Sequence, residues 1–387
     1  MSTVSERDDP IVPSDAAASA PEAVPPRKKK RKKKPLPLPL HYGAYGAVRS
    51  ISAVANIAGI EPSMHAMAHL GNIYAHLPIN RARLMRAEEN IQWCFPDWDA
   101  SRVRATAMEA YRHLFCLGAE IGVTPRLLTQ DGYAAFIELG ELDEALQTLL
   151  SGQPCVMITG HCGNWELLGY TLALLGFPVH ALYRPLDLKP LDEWLHQTRS
   201  RRGLTLVDKF GASEVVPGIV ERGEPVGFIA DQNAGDRGLF VPFFDRLASA
   251  YKTIGLLAMK FDAPVLCGHA VRMSGTGGSA GARFRYRVDI VDLIRPEDWH
   301  DQPDPLYYIT ARYRRAIEEM VRRAPEQYLW MHRYWKSRPR HERLGRPFPD
   351  ALREKIAALP WMTPERVERV VERSAQDAAA WAAGKRK

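Results

Sequence analysis

The rhythm of hydrophobic and polar positions changes near residue 141. Before it, apolar residues recur every three to four positions in 43–76, in 80–93 and in a segment that begins near Asp99 or Ser101, which predicts helices. After it, short apolar runs such as PCVMI alternate with helical segments, which predicts strands and helices in turn. This alternation indicates an α/β fold, with a mainly parallel central sheet, helices on both faces and extra N-terminal helices.

Composition divides the chain of 387 residues further. The beginning is polar, basic and rich in proline, which predicts a disordered tail. We therefore expect four regions: a tail (1–40), a helical region (41–140), an α/β domain (141–345) and a helical end (346–387).

Positive charge is concentrated in the block RKKKRKKK at 27–34, within a chain of formal net charge +7. Such a block suits an anionic membrane surface or a nucleic acid, but no nucleic-acid-binding module accompanies it. The segment 43–60 that follows is apolar, is interrupted by Arg49 and Asn56, and is too short to cross a bilayer. It could lie in a membrane interface or pack as a core helix. Together, the two segments predict a peripheral membrane anchor and no nucleic-acid partner.

The five cysteines are scattered and form no CxxC pair, which argues for a reducing compartment and against a disulfide framework or a zinc site. Cys162 stands next to His161, but no thiol-protease signature surrounds it, and a small filler residue is the better interpretation. We therefore expect no metal and no bound cofactor.

Candidate chemistry is concentrated in TGHCGNWELLG (159–169), which directly follows a predicted buried strand. His161 could hydrogen-bond to Glu166 and act as a general base; alternatively, it caps the next helix and Glu166 is solvated. Arg184 and Asp231 also follow predicted strands, so we expect all three strand-end residues at one rim of the sheet. The sequence has no HExxH or P-loop motif, and its one GxSxG match, GGSAG at 277–281, lies in a predicted surface turn and not between a strand and a helix. This leaves a base that activates a substrate hydroxyl.

Four blocks in order strengthen this interpretation. In this combination they resemble the lauroyl/myristoyl acyltransferase family, lysophospholipid-acyltransferase-like enzymes that add late acyl chains to bacterial lipid A precursors. The resemblance covers about residues 65–340 and rests on GHCGNWELLG (160–169), YRPLD with LDEWLHQTRSRRG (183–203), FIADQNAGDRGLFVPFFDRLASAYKTIGLLAMKFDAPVL (228–266) and PEQYLWMHRYWKSRP (325–339). Leu188, where the family usually has asparagine, and Phe243-Phe244-Asp245, in place of FFG, depart from its pattern and put the acceptor pocket in question.

The resemblance implies roles for particular residues. His161 would be the general base, Glu166 its partner and Arg184 a catalytic arginine that holds phosphate or polarises the thioester carbonyl. Substrate binding would fall to Asn164, Asp231, Gln232 and Arg237. From the residues alone, Arg237 could grip a phosphate through a bidentate fork or be a solvated loop charge.

The implied activity is transfer of a fatty acyl chain from an acyl-carrier-protein or CoA thioester to a hydroxyl of a phosphorylated glycolipid, at the cytoplasmic face of the inner membrane. Two alternatives stay open. The acceptor could be another glycolipid or a glycerolipid, such as an inositol mannoside. The chain could also be a catalytically silent lipid-binding relative, although such a relative would be expected to lose His161 or Glu166, and both are present.

We predict that deleting residues 1–34 weakens membrane association but spares activity on detergent-dispersed substrate. Each Lys or Arg close to an anionic leaflet contributes about 1 kcal/mol, and the segment 43–60 would still supply apolar contact. Co-sedimentation with anionic vesicles at low and high salt measures the effect, with an all-glutamine block at 27–34 as the length-matched control. Equal sedimentation of deleted and full-length protein at both salt concentrations would contradict an electrostatic anchor.

Overall fold

The structure, a computed structural model, describes residues 38–273 and 283–384. The predicted tail at 1–40 therefore lies almost entirely outside the described residues. From Leu38 onward the chain forms one compact unit.

A seven-stranded sheet runs through this unit in the order β1-β9-β8-β2-β5-β3-β4. β8, β2, β5, β3 and β4 are mutually parallel, whereas β9 runs antiparallel to β8 and pairs with β1 in parallel. A separate antiparallel hairpin joins β6 to β7. The predicted mainly parallel α/β fold is thus confirmed. The strands are β1 (Ile137–Leu139), β2 (Val156–Thr159), β3 (His180–Tyr183), β4 (Thr205–Asp208), β5 (Val226–Ile229), β6 (Leu239–Phe243), β7 (Arg246–Ala250), β8 (Val265–Arg272) and β9 (Tyr286–Ile294).

Helices cover both faces of the sheet because successive side chains of each strand point to opposite sides. On one face, Met157 of β2 packs with side chains of α5 and α6; on the other, Ile158 packs with side chains of α8, α9 and α11. The helices of the sheet region are α5 (Asp143–Leu150), α6 (Trp165–Leu174), α7 (Lys189–Ser200), α8 (Ala212–Glu221), α9 (Lys252–Phe261), α10 (Pro296–Trp299) and α11 (Pro305–Arg323).

In the described part of the chain, helices precede the sheet where the apolar spacing predicts them, but the predicted segment 43–76 divides at Gly59 into two: α1 (Leu38–Ala58), α2 (Ile60–His76), α3 (Arg81–Cys94) and α4 (Ala100–Leu127). Asp99 caps α4, its side chain accepting a hydrogen bond from the backbone N–H of Arg102. Among the described helices, none combines the length and the apolar character that a membrane span requires. The chain closes with α12 (Arg340–Arg343), α13 (Asp350–Ala357) and α14 (Pro364–Ala382).

The sequence pattern did not predict β1, β4 or the β6–β7 hairpin. The hairpin has no Asn-Gly or Gly-rich turn; Phe244 and Asp245 instead adopt positive φ of 52° and 50° at its tip. Glu318 accepts a hydrogen bond from the Phe244 N–H, and Arg366 and Arg369 of α14 bind the Asp245 carboxylate. Tertiary contacts therefore hold a turn that local sequence does not favour.

Candidate active site

The pairing of β2 with β5 brings His161 and Asp231 together. Thr159 and Ile229 are register partners at the ends of these parallel strands, and His161 and Asp231 each lie two residues further on. The imidazole Nδ1 lies 2.7 Å from Asp231 Oδ1, and the His161 backbone N–H donates to Oδ2 at 2.9 Å. One carboxylate therefore fixes both the backbone and the ring of His161.

Asp231 is fully buried and ionised. Burial acts to raise its pKa, but His161, through charge and hydrogen bonds, and Arg314 outweigh that effect and lower it. Arg314, itself buried, donates to the backbone oxygens of Asp231 and Ala230 at 2.6 and 3.2 Å. Because an ionised carboxylate only accepts hydrogen bonds, His161 Nδ1 must donate, and in the neutral imidazole the lone pair is then on Nε2. This is the arrangement of a general base.

The predicted hydrogen bond between His161 and Glu166 is not the one the structure forms. Glu166 sits in the first turn of α6, where Arg199 of α7 grips its carboxylate with two hydrogen bonds of 2.7 and 2.5 Å. Because β2 pairs with β5, the His161 imidazole binds Asp231 instead. Glu166 still lines the cavity described below, but its side chain forms a bridge between two helices.

The loop that carries His161 is held from several sides. Gly163 donates its N–H to Gln327 O at 3.0 Å, and its carbonyl lies 3.0 Å from His113 Nε2. Its φ of +59° and a backbone approach in which a Cβ would overlap the Ala270 oxygen both require glycine. The His161 carbonyl accepts from Leu329 N–H at 3.1 Å. The base therefore stands on a rigid loop.

Asn164, predicted to bind substrate, is buried, and both polar atoms of its side chain are hydrogen-bonded within the protein. Its Oδ1 caps α6 by accepting from the Leu167 N–H, and its Nδ2 donates to Glu120 Oε2 at 2.8 Å. Glu120 of α4, also buried, accepts in addition from Tyr286 at 2.6 Å and from Arg272 at 2.7 Å. A buried carboxylate on α4 thus anchors the end of the loop that carries His161.

Arg272 completes this network. Burial disfavours its charge, yet Glu120 and Tyr286 raise its pKa above the ordinary value. Its Nη1 lies 2.8 Å from His113 Nδ1, and burial followed by the charge of Arg272 lowers the pKa of His113 well below its usual range. His113 is therefore neutral, accepting from Arg272 and donating to the Gly163 carbonyl.

An apolar cavity of about 810 Å³ opens next to His161. It is lined by neighbouring strand residues, such as Met157 and Ile158, whose side chains point to opposite faces of the sheet. Leu146 of α5 and Leu168 of α6 line it as well, as do Val216 and Ile254 of α8 and α9. The cavity therefore extends along both faces of the sheet and includes the rim at His161.

The other predicted residues differ in their relation to this cavity. Arg184, which directly follows β3, and Gln232 both line it, while Asp231 lies behind His161. Arg237 is exposed and is not among the lining residues. The structure thus gathers His161, Asp231, Gln232 and Arg184 at one edge of the sheet and leaves Arg237 outside.

Two aromatic neighbours of the base did not emerge from the sequence as site residues. The Trp165 ring meets His161 edge-on with centroids 4.9 Å apart, and the His332 ring lies 5.4 Å away. His332 also has its Nε2 3.5 Å from the Gln232 amide nitrogen. Burial, followed by the charge of His161, lowers its pKa. His332 belongs to the segment PEQYLWMHRYW (325–335), and only the fold brings this segment next to the loop that carries His161.

An α/β protein with a carboxylate-oriented histidine at the mouth of a large apolar cavity is suited to acyl chemistry on lipid-like molecules. Comparison with known proteins agrees: residues 32–337 match the model of the bacterial lipid A biosynthesis acyltransferase family. The chain belongs to this family and is an acyltransferase, which confirms the resemblance seen in the sequence motifs.

Relatives within the family are distant. The chain is 28% identical to the lipid A biosynthesis palmitoleoyltransferase of Escherichia coli (strain K12) over 266 residues, covering 68% of this chain and 81% of that one. It is 26% identical to the lipid A biosynthesis lauroyltransferase of the same strain over 272 residues, covering 70% and 84%. A lipid A biosynthesis acyltransferase of Haemophilus influenzae is 25% identical over 291 residues, covering 72% and 86%.

We predict that Glu120→Gln destabilises the protein by about 3–5 kcal/mol, the range for removing one partner of a buried ion pair, and lowers activity. The amide leaves Arg272 without a counter-charge and turns a donor toward Asn164 or Tyr286. Thermal and denaturant unfolding measure the change. Glu109→Gln is the matched control, because it removes an exposed pair with Arg112 on the same helix and should cost at most about 1 kcal/mol. Equal effects of the two substitutions would contradict the anchoring role of Glu120.

Proposed function

We propose that the protein transfers a fatty acyl chain from an acyl thioester, of acyl-carrier protein or CoA, to a hydroxyl of a phosphorylated glycolipid, a lipid A precursor. The observation that carries this proposal is the His161–Asp231 pair at the mouth of the apolar cavity. The activities for which the relatives are named, palmitoleoyl and lauroyl transfer in lipid A biosynthesis, are consistent with it.

In the proposed reaction, His161 Nε2 takes the proton of the acceptor hydroxyl while its oxygen attacks the thioester carbonyl carbon. Asp231 stabilises the imidazolium that forms. The tetrahedral intermediate collapses as the carbon–sulfur bond breaks, and the imidazolium returns the proton to the departing thiolate. We assign to the Gln232 amide, which lines the same cavity, the donation of a hydrogen bond to the oxyanion. No enzyme nucleophile is needed.

The cavity supports a long acyl chain as the group transferred. Its lining is predominantly aliphatic, and burying each methylene there contributes about 0.8 kcal/mol. Residues on both faces of the sheet line the cavity, among them Leu146 and Leu168 on one face and Val216 and Ile254 on the other. We infer that it offers space for more than one chain around a single base.

A peripheral position on the cytoplasmic face of the inner membrane is part of the proposal. Ile51, Val54 and Ile57 recur every three residues of α1 and are exposed, Ile57 to 87%. Leu70 and Ile73 on α2 are exposed as well, and Ile79 before α3 is 80% exposed and precedes Arg81 and Arg83. Apolar side chains flanked by basic ones suit the headgroup region of an anionic leaflet.

We predict that His161→Ala and Asp231→Asn each lower acyl transfer, the former by about 10²–10⁴-fold as expected for loss of a general base. Mass spectrometry should show that lipids from cells without the gene lack one acyl chain that is present in cells with it. Expression of the His161→Ala variant in cells without the gene should not restore this acyl chain. His300→Ala is the control, since it removes an exposed His–Asp pair that links the end of α10 to the end of α9. Wild-type turnover in His161→Ala would refute the catalytic assignment.

The Arg184 guanidinium at the rim of the cavity could have one of two roles, binding the acceptor phosphate or polarising the thioester carbonyl. We favour binding of an acceptor phosphate, so Arg184→Lys should raise the KM for acceptor by roughly tenfold through loss of a bidentate contact. Thioester hydrolysis without acceptor should persist. If Arg184 polarises the thioester carbonyl instead, turnover and residual hydrolysis fall together. Kinetics with donor and acceptor varied separately measure this, and unchanged kinetics would exclude both roles.

A further inference from the structure

Two positively charged residues, Arg86 on α3 and Arg333 on the segment after Tyr328, belong to parts of the chain that pack next to His161. Asn90 of α3 donates to the backbone oxygens of Trp330 and His332 at 2.7 and 3.0 Å. Arg86, one turn earlier, donates Nη1 to Met331 O at 3.2 Å. These bonds dock α3 onto the segment whose His332 ring lies 5.4 Å from that of His161.

The bond to the Met331 carbonyl holds the Arg86 guanidinium beside the stretch of chain that carries Arg333, two residues further on. Burial, then Arg333 and then Arg83 lower the pKa of Arg86, and the opposing effects of Tyr111 and Glu89 are smaller. Among the described residues, neither Arg86 nor Arg333 forms an ion pair with a carboxylate. Arg333 is exposed, Arg86 half-buried.

Five shielded arginines of the described residues have a carboxylate within 2.9 Å: Arg199 with Glu166, Arg246 with Asp377, Arg272 with Glu120, Arg312 with Asp292 and Arg338 with Glu342. Arg314 has no such partner in the described part of the chain and donates to two backbone oxygens instead, as Arg86 donates to Met331 O. Arg86 differs from Arg314 in its neighbour, a second guanidinium group, and an outside anion would relieve the repulsion between the two.

We propose that Arg86 and Arg333 form a phosphate subsite beside His332, which holds a substrate phosphate while the reacting atoms lie at His161. The subsite rests on the proposed function and adds a site outside the apolar cavity, whose lining includes neither arginine. Guanidinium groups match phosphate oxygens with paired N–H donors. The phosphate belongs either to the glycolipid acceptor or to the phosphopantetheine arm of the donor.

The test measures acyl transfer by the full-length protein carrying Arg86→Gln, Arg333→Gln or both. Two acceptors are compared, a phosphorylated lipid A precursor and the same lipid after phosphatase treatment. Two donors are compared, an acyl-CoA and an acyl thioester of a short phosphate-free thiol. Arg353→Gln, on the exposed side of α13, is the control that removes a positive charge outside the pair.

If the subsite holds the acceptor phosphate, each substitution raises the KM for phosphorylated acceptor by about tenfold, and the effect disappears with dephosphorylated acceptor. If it holds the donor phosphate, the effect instead disappears with the phosphate-free thioester. Either result supports the subsite. Arg333→Gln keeps the test valid should Arg86→Gln lower the unfolding temperature, because Arg333 is exposed.

Unchanged kinetics in the double variant, or an equal loss of activity on all four substrate combinations, would overturn the subsite. The proposed function would still stand, provided that the unmodified protein transfers the acyl chain. Wild-type protein that acylates neither acceptor would overturn the proposed function itself, and the subsite with it. The two failures are therefore distinguishable in the same set of assays.

Discussion

The site depends on the register between β2 and β5. With Thr159 opposite Ile229, the loops that leave these parallel strands carry His161 and Asp231 to the same depth, and the carboxylate binds both the ring and the backbone of His161. A slip of one residue would turn Asp231 to the other face of the sheet. The same register places Val156 and Val226 side by side in the core, so hydrophobic packing enforces the catalytic geometry.

Charge burial makes the arrangement sensitive to any displacement. Asp231 and Glu120 are both fully buried; the Asp231 carboxylate is paired with His161, and Glu120 forms an ion pair with Arg272. Removing one partner of such a buried pair costs about 3–5 kcal/mol, because the remaining charge is left uncompensated. Since Asp231 is tied to one end of the 161–164 loop and Glu120 to the other, the loop cannot shift without exposing one of these charges to an apolar environment. Rigidity here follows from electrostatics as much as from packing.

The sequence predicts the class of fold but not the neighbour relations that define the site. Alternating apolar segments indicate β2, β3, β5 and β8 and their helices, and strand ends indicate His161, Arg184 and Asp231. Strand order cannot be read from these patterns, so the partner of His161 was sought in the adjoining helix, at Glu166, rather than across the sheet. His332 lies 171 positions away in the chain, and only the docking of its segment by Leu329 and Asn90 brings it to His161.

The residue next to the base explains why direct transfer suits this site. Cys162 follows His161 immediately, yet its thiol is buried, and burial together with the charge of Asp231 raises its pKa well above the usual range. A neutral, enclosed thiol cannot compete for the acyl group. His161, by contrast, keeps 14% of its side chain exposed, and its free nitrogen is available at the cavity rim. One base facing an apolar cavity, with the nearby thiol turned into the core, leaves the acceptor hydroxyl as the nucleophile in the proposed reaction.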